Sequence, residues 1–225
     1  MDDLDFDEIL NSSNESQNET SITPLMLMNK LFSVWKNELL APVLLKPQIE
    51  FLCLVKERLK CIDCDLSSTH SSTGHLDVTS FSKKLQAARI QYLIVDYHRI
   101  RMMKLEDNPL LYMKQAINPQ DNCITQQEFH YVKSVHSKLS SFINETILQS
   151  LPSSFQRLDD QQMIRKQNNE KYVYCVALKQ VMINLPEKED NQVKVNQSIG
   201  FSGEHFLLPF TYIHDVLLDE QVELV

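Results

Sequence analysis

Glycine is nearly missing from this chain. Its 225 residues include three, Gly74, Gly200 and Gly203, and residues 1–199 hold one of them, against an average usage of about 7%. Phosphate-binding loops need glycines so that backbone N–H groups can approach the ligand. A P-loop, a dinucleotide fingerprint, a kinase glycine-rich loop and a nucleophile elbow are therefore absent, and with them most common enzyme classes. Long apolar runs are missing too. No stretch of about 18 apolar residues exists, so no membrane span is expected. The acidic N-terminus lacks a positive region followed by an apolar one and does not read as a secretory signal. A basic excess is also lacking. The net charge is -8, and residues 1–22 carry Asp2, Asp3, Asp5, Asp7, Glu8, Glu15 and Glu19 without a Lys or Arg. The remainder is almost balanced, which argues against broad contact with phosphate backbones. The five cysteines, Cys53, Cys61, Cys64, Cys123 and Cys175, are odd in number and mostly sit in apolar periodic stretches. Reduced thiols in a cytosolic or nuclear protein fit that pattern.

What is present is apolar periodicity, at 43% hydrophobic residues. Residues 1–22 read as a disordered acidic tail, because Asn, Ser, Glu, Gln and Thr bury too little apolar surface to order themselves. Thr23 is a good N-cap and Pro24 suits the first helical position. Leu25, Met28, Phe32, Trp35 and Leu39 form one stripe of the helix that follows, and Pro42 ends it. A second helix is expected from about Pro47 to Leu66, with a polar loop at 67–75. The third and longest runs from about Asp77 to Glu106. Val78, Phe81, Leu85, Ala88, Tyr92 and Val95 give it a stripe in steps of three and four. Ile90, Ile94 and Tyr97, then Leu93 and Ile100, widen the apolar surface well beyond the single stripe a surface helix needs. Asn108-Pro109 breaks this helix, and a short one follows to about Ala116. The fifth opens at Thr125 with Glu128 three residues on, a capping-box signature, and closes at Leu151-Pro152.

Residues 153–170 are polar and read as a linker. Beyond them the period shortens. Tyr172–Leu178, Gln192–Val195, Phe206–Leu208 and Gln221–Val225 read as strands, and Tyr212–Leu218 as a short helix. The expected fold is α+β and mainly α: an N-terminal helical bundle domain at 23–152, then a small C-terminal β-rich domain at 171–225.

Few constellations carry chemistry. Cys61 and Cys64 have metal-ligand spacing, but only five residues separate Cys64 from His70, too few for the usual arrangement with His75. They read as helix-end cysteines, and no metal site is expected. Lys83, Lys84, Arg89, Arg99, Arg101 and Lys104 make the long helix locally basic. Interleaved aliphatics favour packing and ion pairing over a DNA-reading face. A DNA-binding helical module using that face is the alternative reading. Asp96 and Glu106 form no dyad, and no catalytic residue or cofactor is expected. In the tail, Phe6, Ile9 and Leu10 fall at i, i+3 and i+4, the anchor spacing of a helix laid in a groove.

Several stretches together resemble the Go subunit, or subunit four, of GINS, the Go-Ichi-Ni-San complex of eukaryotic replication. They are Asn37-Glu38-Leu39-Leu40-Ala41-Pro42, the run Tyr97-His98-Arg99-Ile100-Arg101-Met102-Met103-Lys104-Leu105-Glu106, Thr125 with Glu128, Leu151-Pro152, and the tail from His205 to Val225. Their order covers roughly residues 23–225. Go and Ichi subunits place the helical domain first, as here. The resemblance implies a non-catalytic, nuclear subunit in a heterotetramer with three sister subunits. That tetramer joins the MCM motor ring and a cell-division-cycle partner in the CMG helicase. It also implies that a peptide like Asp5, Phe6, Asp7, Glu8, Ile9 and Leu10 docks on a trimeric replisome adaptor. Residues expected at the assembly interface are Trp35, Leu39, Leu40, Tyr92, Tyr97, Arg99, Arg101, Lys104, Phe206, Phe210, Tyr212 and Leu224. Two positions depart from the family pattern. Glu220 stands where Gly is usual before the last strand, and Pro209 interrupts a strand, which should therefore be an edge.

Overall fold

The computed structural model describes residues 23–72, 78–117, 123–152, 168–189 and 192–225. The acidic tail with Asp5–Leu10, linker residues 153–167, Gly74 and His75 lie outside them. The architecture is mainly helical, with antiparallel strands toward the C-terminus, as the sequence pattern predicts.

Helix α1 spans Pro24–Leu40. The Thr23 hydroxyl accepts from the Met26 amide at 3.4 Å, capping one of the orphan donors of the first turn. Helix α2 spans Ile49–Ser72, so the loop expected from residue 67 is a correction. Ser67 is helical, and its hydroxyl is satisfied by donating to the Asp63 carbonyl four residues back, at 2.7 Å. Helix α3 spans Val78–Asp107, α4 Pro109–Ile117 and α5 Gln126–Thr146, followed by a short 3-10 turn at Leu148–Ser150. The capping box of α5 is complete: the Thr125 hydroxyl accepts from the Glu128 amide, and the Glu128 carboxylate accepts from the Thr125 amide.

The chain packs as two compact units. One holds α1 up to Lys36, α2, and α3 up to Tyr97; the other holds Asn37–Pro47 and everything from His98 onward. The core of the first is Leu31, Leu52, Val55, Ile94 and Tyr97, with Val34, Trp35, Phe51, Ile90 and Leu93 packed against it. The Trp35 indole donates to the Asp96 carboxylate at 2.8 Å, so its polar edge is satisfied where its ring is half covered.

In the second unit a three-stranded sheet has the order β4-β1-β5, with β1 Tyr172–Ala177, β4 His205–Pro209 and β5 Val222–Leu224. Both neighbours run antiparallel to β1, pairing Cys175 with Phe206 on one side and with Leu224 on the other. Alternate residues Val173, Cys175 and Ala177 point inward, under helix α6 (Phe210–Leu218), which supplies Phe210, Ile213 and Leu217. Three short strands are marginal without such a cover. Pro209 ends the edge strand β4, where its missing N–H breaks no inner ladder.

Strand β2 (Val181–Glu189) pairs with β3 (Gln192–Gly200) as a separate antiparallel ribbon. Sequence reading left β2 unassigned and ended β3 at Val195. At the end of β3, a Cβ on Gly200 would lie 2.5 Å from the Phe206 ring, so close approach explains this glycine.

Glu220 keeps the left-handed turn that usually calls for glycine, at φ 54°. The Glu220 amide donates to Leu217 and the Gln221 amide to Val216, each at 3.2 Å. Those two bonds form a Schellman end for α6, with Glu220 at the position glycine favours.

The stretch between α1 and α2 is not a surface loop, since Ala41, Val43, Leu44 and Leu45 are buried. Ala41, Val43 and Leu45 belong to the sheet core, whereas Leu44 belongs to a helical core with Leu105, Tyr112 and Val132. Its apolar residues thus divide between two cores.

Candidate assembly surfaces

Arg101 and Lys104 lie three residues apart on α3, hence on one face of it. Within the second unit they meet Glu38 from the end of α1 and Glu128 from the first turn of α5. Arg101 Nε donates to Glu128 Oε1 at 2.7 Å and Nη2 donates to Oε2 at 3.0 Å. Nη1 donates to Glu38 Oε2 at 3.2 Å and to the Leu45 carbonyl at 2.7 Å, and Nη2 also reaches the Cys123 carbonyl at 2.8 Å. A guanidinium has five N–H donors, and all five are engaged. Lys104 Nζ donates to Glu38 Oε1 at 2.8 Å, to the Val43 carbonyl at 3.0 Å and to the Glu38 carbonyl. Its three donors are likewise taken.

Two cations and two carboxylates balance. Among the described residues no buried side-chain nitrogen or oxygen lacks a partner. Burial pulls the Lys104 ammonium below its ordinary value, and the Glu38 charge opposes that in part. Burial alone would raise the Glu128 carboxyl. The Arg101 hydrogen bonds and charge, with the Thr125 cap, outweigh it and hold the group below the ordinary carboxylate value. The cluster is closed and offers no open donor to a substrate, so its work is to fasten the buried 41–45 segment to α3 and α5.

Several residues expected at the assembly interface lie inside the chain. Arg101 is 1% exposed and Leu224 fully buried, and Tyr97 and Phe210 are buried in the chain's own cores. They are interior positions. Lys104 is mostly enclosed by the cluster. Trp35, Phe206 and Tyr212 are half-buried against their own units. Leu39, Leu40, Tyr92 and Arg99 are exposed.

The larger apolar surfaces lie elsewhere. In the first unit Val78 is 80% exposed, Phe81 67% and Tyr92 61%, and Leu85, Ala88 and Val95 are exposed with them. These six residues are the three-and-four stripe of the sequence. The opposite face of α3, with Ala87, Ile94 and Tyr97, is the one that packs inward. In the second unit Leu139 and Phe142 are exposed on α5, and Tyr172, Tyr174 and Leu207 on the outer face of the sheet. Tyr174 stacks on His205 there, with centroids 5.5 Å apart. Contiguous apolar surface of this kind marks interaction sites.

Cys61 and Cys64 are exposed on α2. Among the described residues no group of three His, Cys, Asp or Glu side chains is placed to hold a metal ion. No described helix is long and apolar enough to cross a membrane. Burial pushes the Cys175 thiol up to about 11, so this inward cysteine is a core residue and not a nucleophile.

Comparison with known proteins agrees with the family resemblance. The chain is 27% identical over 217 residues to the DNA replication complex GINS protein SLD5 of Rattus norvegicus, covering 95% of each chain. It is 22% identical over the same span to the human protein of that name, again covering 95% of each. Against the Xenopus laevis protein it is 23% identical over 197 residues, covering 85% of this chain and 87% of the other. No protein-family model matches the chain. Likeness of this extent to proteins that share one name supports the GINS family.

Proposed function

We propose that this chain is the Go subunit of GINS, a non-catalytic structural member of a heterotetramer with three sister subunits. In this reading the tetramer joins the MCM motor ring and a cell-division-cycle partner in the CMG helicase, in the nucleus, during initiation and elongation of DNA replication. The observation that carries the reading is likeness along 95% of both chains to a protein named for a GINS replication complex. The chain's own surfaces support it independently. Apolar side chains as large as Phe81, Tyr92, Phe142 and Tyr172 stand in solvent in the single chain, where a self-sufficient monomer would cover most of them. The role is positional: helices hold apolar faces ready for sister subunits, and the closed Arg101 cluster fixes the framework of the second unit.

The tail peptide Asp5–Leu10 is the proposed site for a trimeric replisome adaptor, anchored by Phe6, Ile9 and Leu10. The DNA-binding alternative gains no support from Arg101 and Lys104, whose donors are engaged inside the chain. The reading is tested by purifying the chain alone. A preparation that folds in dilute solution but aggregates as its concentration rises, and is rescued by sister subunits, is expected. A monomer that stays dispersed at high concentration would remove the argument from exposed surface.

A further inference from the structure

We propose that in the free chain the acidic tail folds back on its own first unit, seating Phe6, Ile9 and Leu10 on the Leu85–Tyr92 stretch of α3. Thr23, which caps α1, stands in the same unit as that stretch. Helix α1 lies along α3: the Trp35 indole donates to Asp96 at 2.8 Å, and Leu31 shares a core with Ile94. Twelve residues, 11–22, separate Leu10 from Thr23, a reach of up to ~40 Å. Rounding one helix of about 10–12 Å diameter needs far less. A tether this short holds the peptide at roughly millimolar effective concentration, so even a weak contact is populated.

Charge and spacing select this occupant. Leu85, Ala88 and Tyr92 are exposed on one side of α3, while Ala87, Ile94 and Tyr97 on the other fill the interior. Lys84 and Arg89 are exposed, and at helical spacing they stand on opposite edges of the apolar stretch. Among the described residues neither has an ion-pair partner. The tail is the counterpart. Phe6, Ile9 and Leu10 have the spacing of anchors laid in a groove, and at a helical period Asp5 and Asp7 fall on opposite edges of them. Residues 1–22 carry seven acids and no Lys or Arg. The tail of a second copy would meet the same surface, but the tether gives the chain's own tail the advantage in dilute solution.

Phe6, Ile9 and Leu10 are also the anchors proposed for the adaptor, so α3 and the adaptor compete for one peptide. That consequence rests on the assembly reading; the contact itself does not. The test is the full chain with Phe6 replaced by photoreactive benzoylphenylalanine, irradiated at low salt, with the cross-linked peptides identified by mass. Cross-links should fall between Phe81 and Tyr92, at a yield independent of protein concentration. Lys84→Glu with Arg89→Glu should lower that yield at least about fivefold, the worth of two exposed ion pairs. Adding Asp5→Lys with Asp7→Lys should restore it, which a chain that merely failed to fold would not do. Absent cross-links, cross-links elsewhere, a yield that rises with concentration as for a second copy, or indifference to charge reversal overturns the proposal. A chain that assembles with sister subunits but gives no such cross-link loses the tail contact and keeps the family reading. A chain that cross-links as expected but does not assemble does the reverse.

Discussion

Arg101 holds Glu128 by two parallel hydrogen bonds, at 2.7 and 3.0 Å, and that same Glu128 closes the capping box of α5. One carboxylate thus both ends the isolation of a buried guanidinium and starts a helix. Removing Arg101 leaves two carboxylates without their shared cation in the interior. Arg101→Met should destabilise the full chain by about 3–5 kcal/mol, the range for breaking a buried pair from one side. Arg101→Lys should recover little, since an ammonium cannot make the forked contact. Urea unfolding at constant m-value measures both.

The depressed Glu128 carboxyl makes stability depend on acid in a defined direction. A carboxyl whose folded pKa lies below its unfolded one stabilises the fold fully above the unfolded value, ordinarily 4.5 here. That contribution fades as pH falls through the folded value. The chain should therefore lose stability as pH falls below 4.5, and Glu128→Gln should be less stable at neutral pH with a shallower acid slope. Parallel stability curves for the two proteins would contradict this.

Gly200 and Phe206 are coupled by space. Gly200→Ala sets a methyl group 2.5 Å from the ring tip of Phe206, and overpacking of this sort costs about 1–3 kcal/mol. Phe206→Leu should restore part of that loss in the double variant. A thermodynamic cycle reads the coupling, and simple additivity of the two changes would count against the contact.

At Glu220 the opposite change should help. Its φ of 54° is costly for a side chain with a Cβ, by about 1–2 kcal/mol. Glycine loses more chain entropy on folding, which offsets roughly 0.5–1 kcal/mol of that gain. Glu220→Gly should raise stability by up to about 1 kcal/mol, read as a higher urea midpoint. A lower midpoint would mean that the Glu220 side chain contributes more than the turn strain removes.

Local chemistry was the most legible part of the sequence. Thr23 with Pro24 starts α1 and Thr125 with Glu128 starts α5, because capping is settled within four residues. The order of helices and then strands followed from the change of period near residue 171. Direction was less legible. Stripes on three sides of α3 revealed its excess apolar surface, but periodicity does not say which stripe meets the core. Val78–Val95 proved to be the outer one. Ion pairing of the α3 cations was expected, but the partners of Arg101 and Lys104 were not legible, because Glu38 lies 63 residues before Arg101 and nothing local announces it. Strand β2 alternates at Val181, Ile183 and Leu185, but Pro186 and the charged run after it interrupt the pattern. The Pro42–Pro47 stretch looked like a connector because prolines bound it, yet its apolar residues alternate between two cores.

The central claim is that this chain works as one member of a four-chain assembly. Co-expression with three candidate sister subunits, followed by native mass measurement of the purified material, tests it most directly. The expected mass is that of one copy of each of the four chains, with no free population of this chain. Recovery of the chain as a free, well-folded monomer beside an assembly that lacks it would contradict the account.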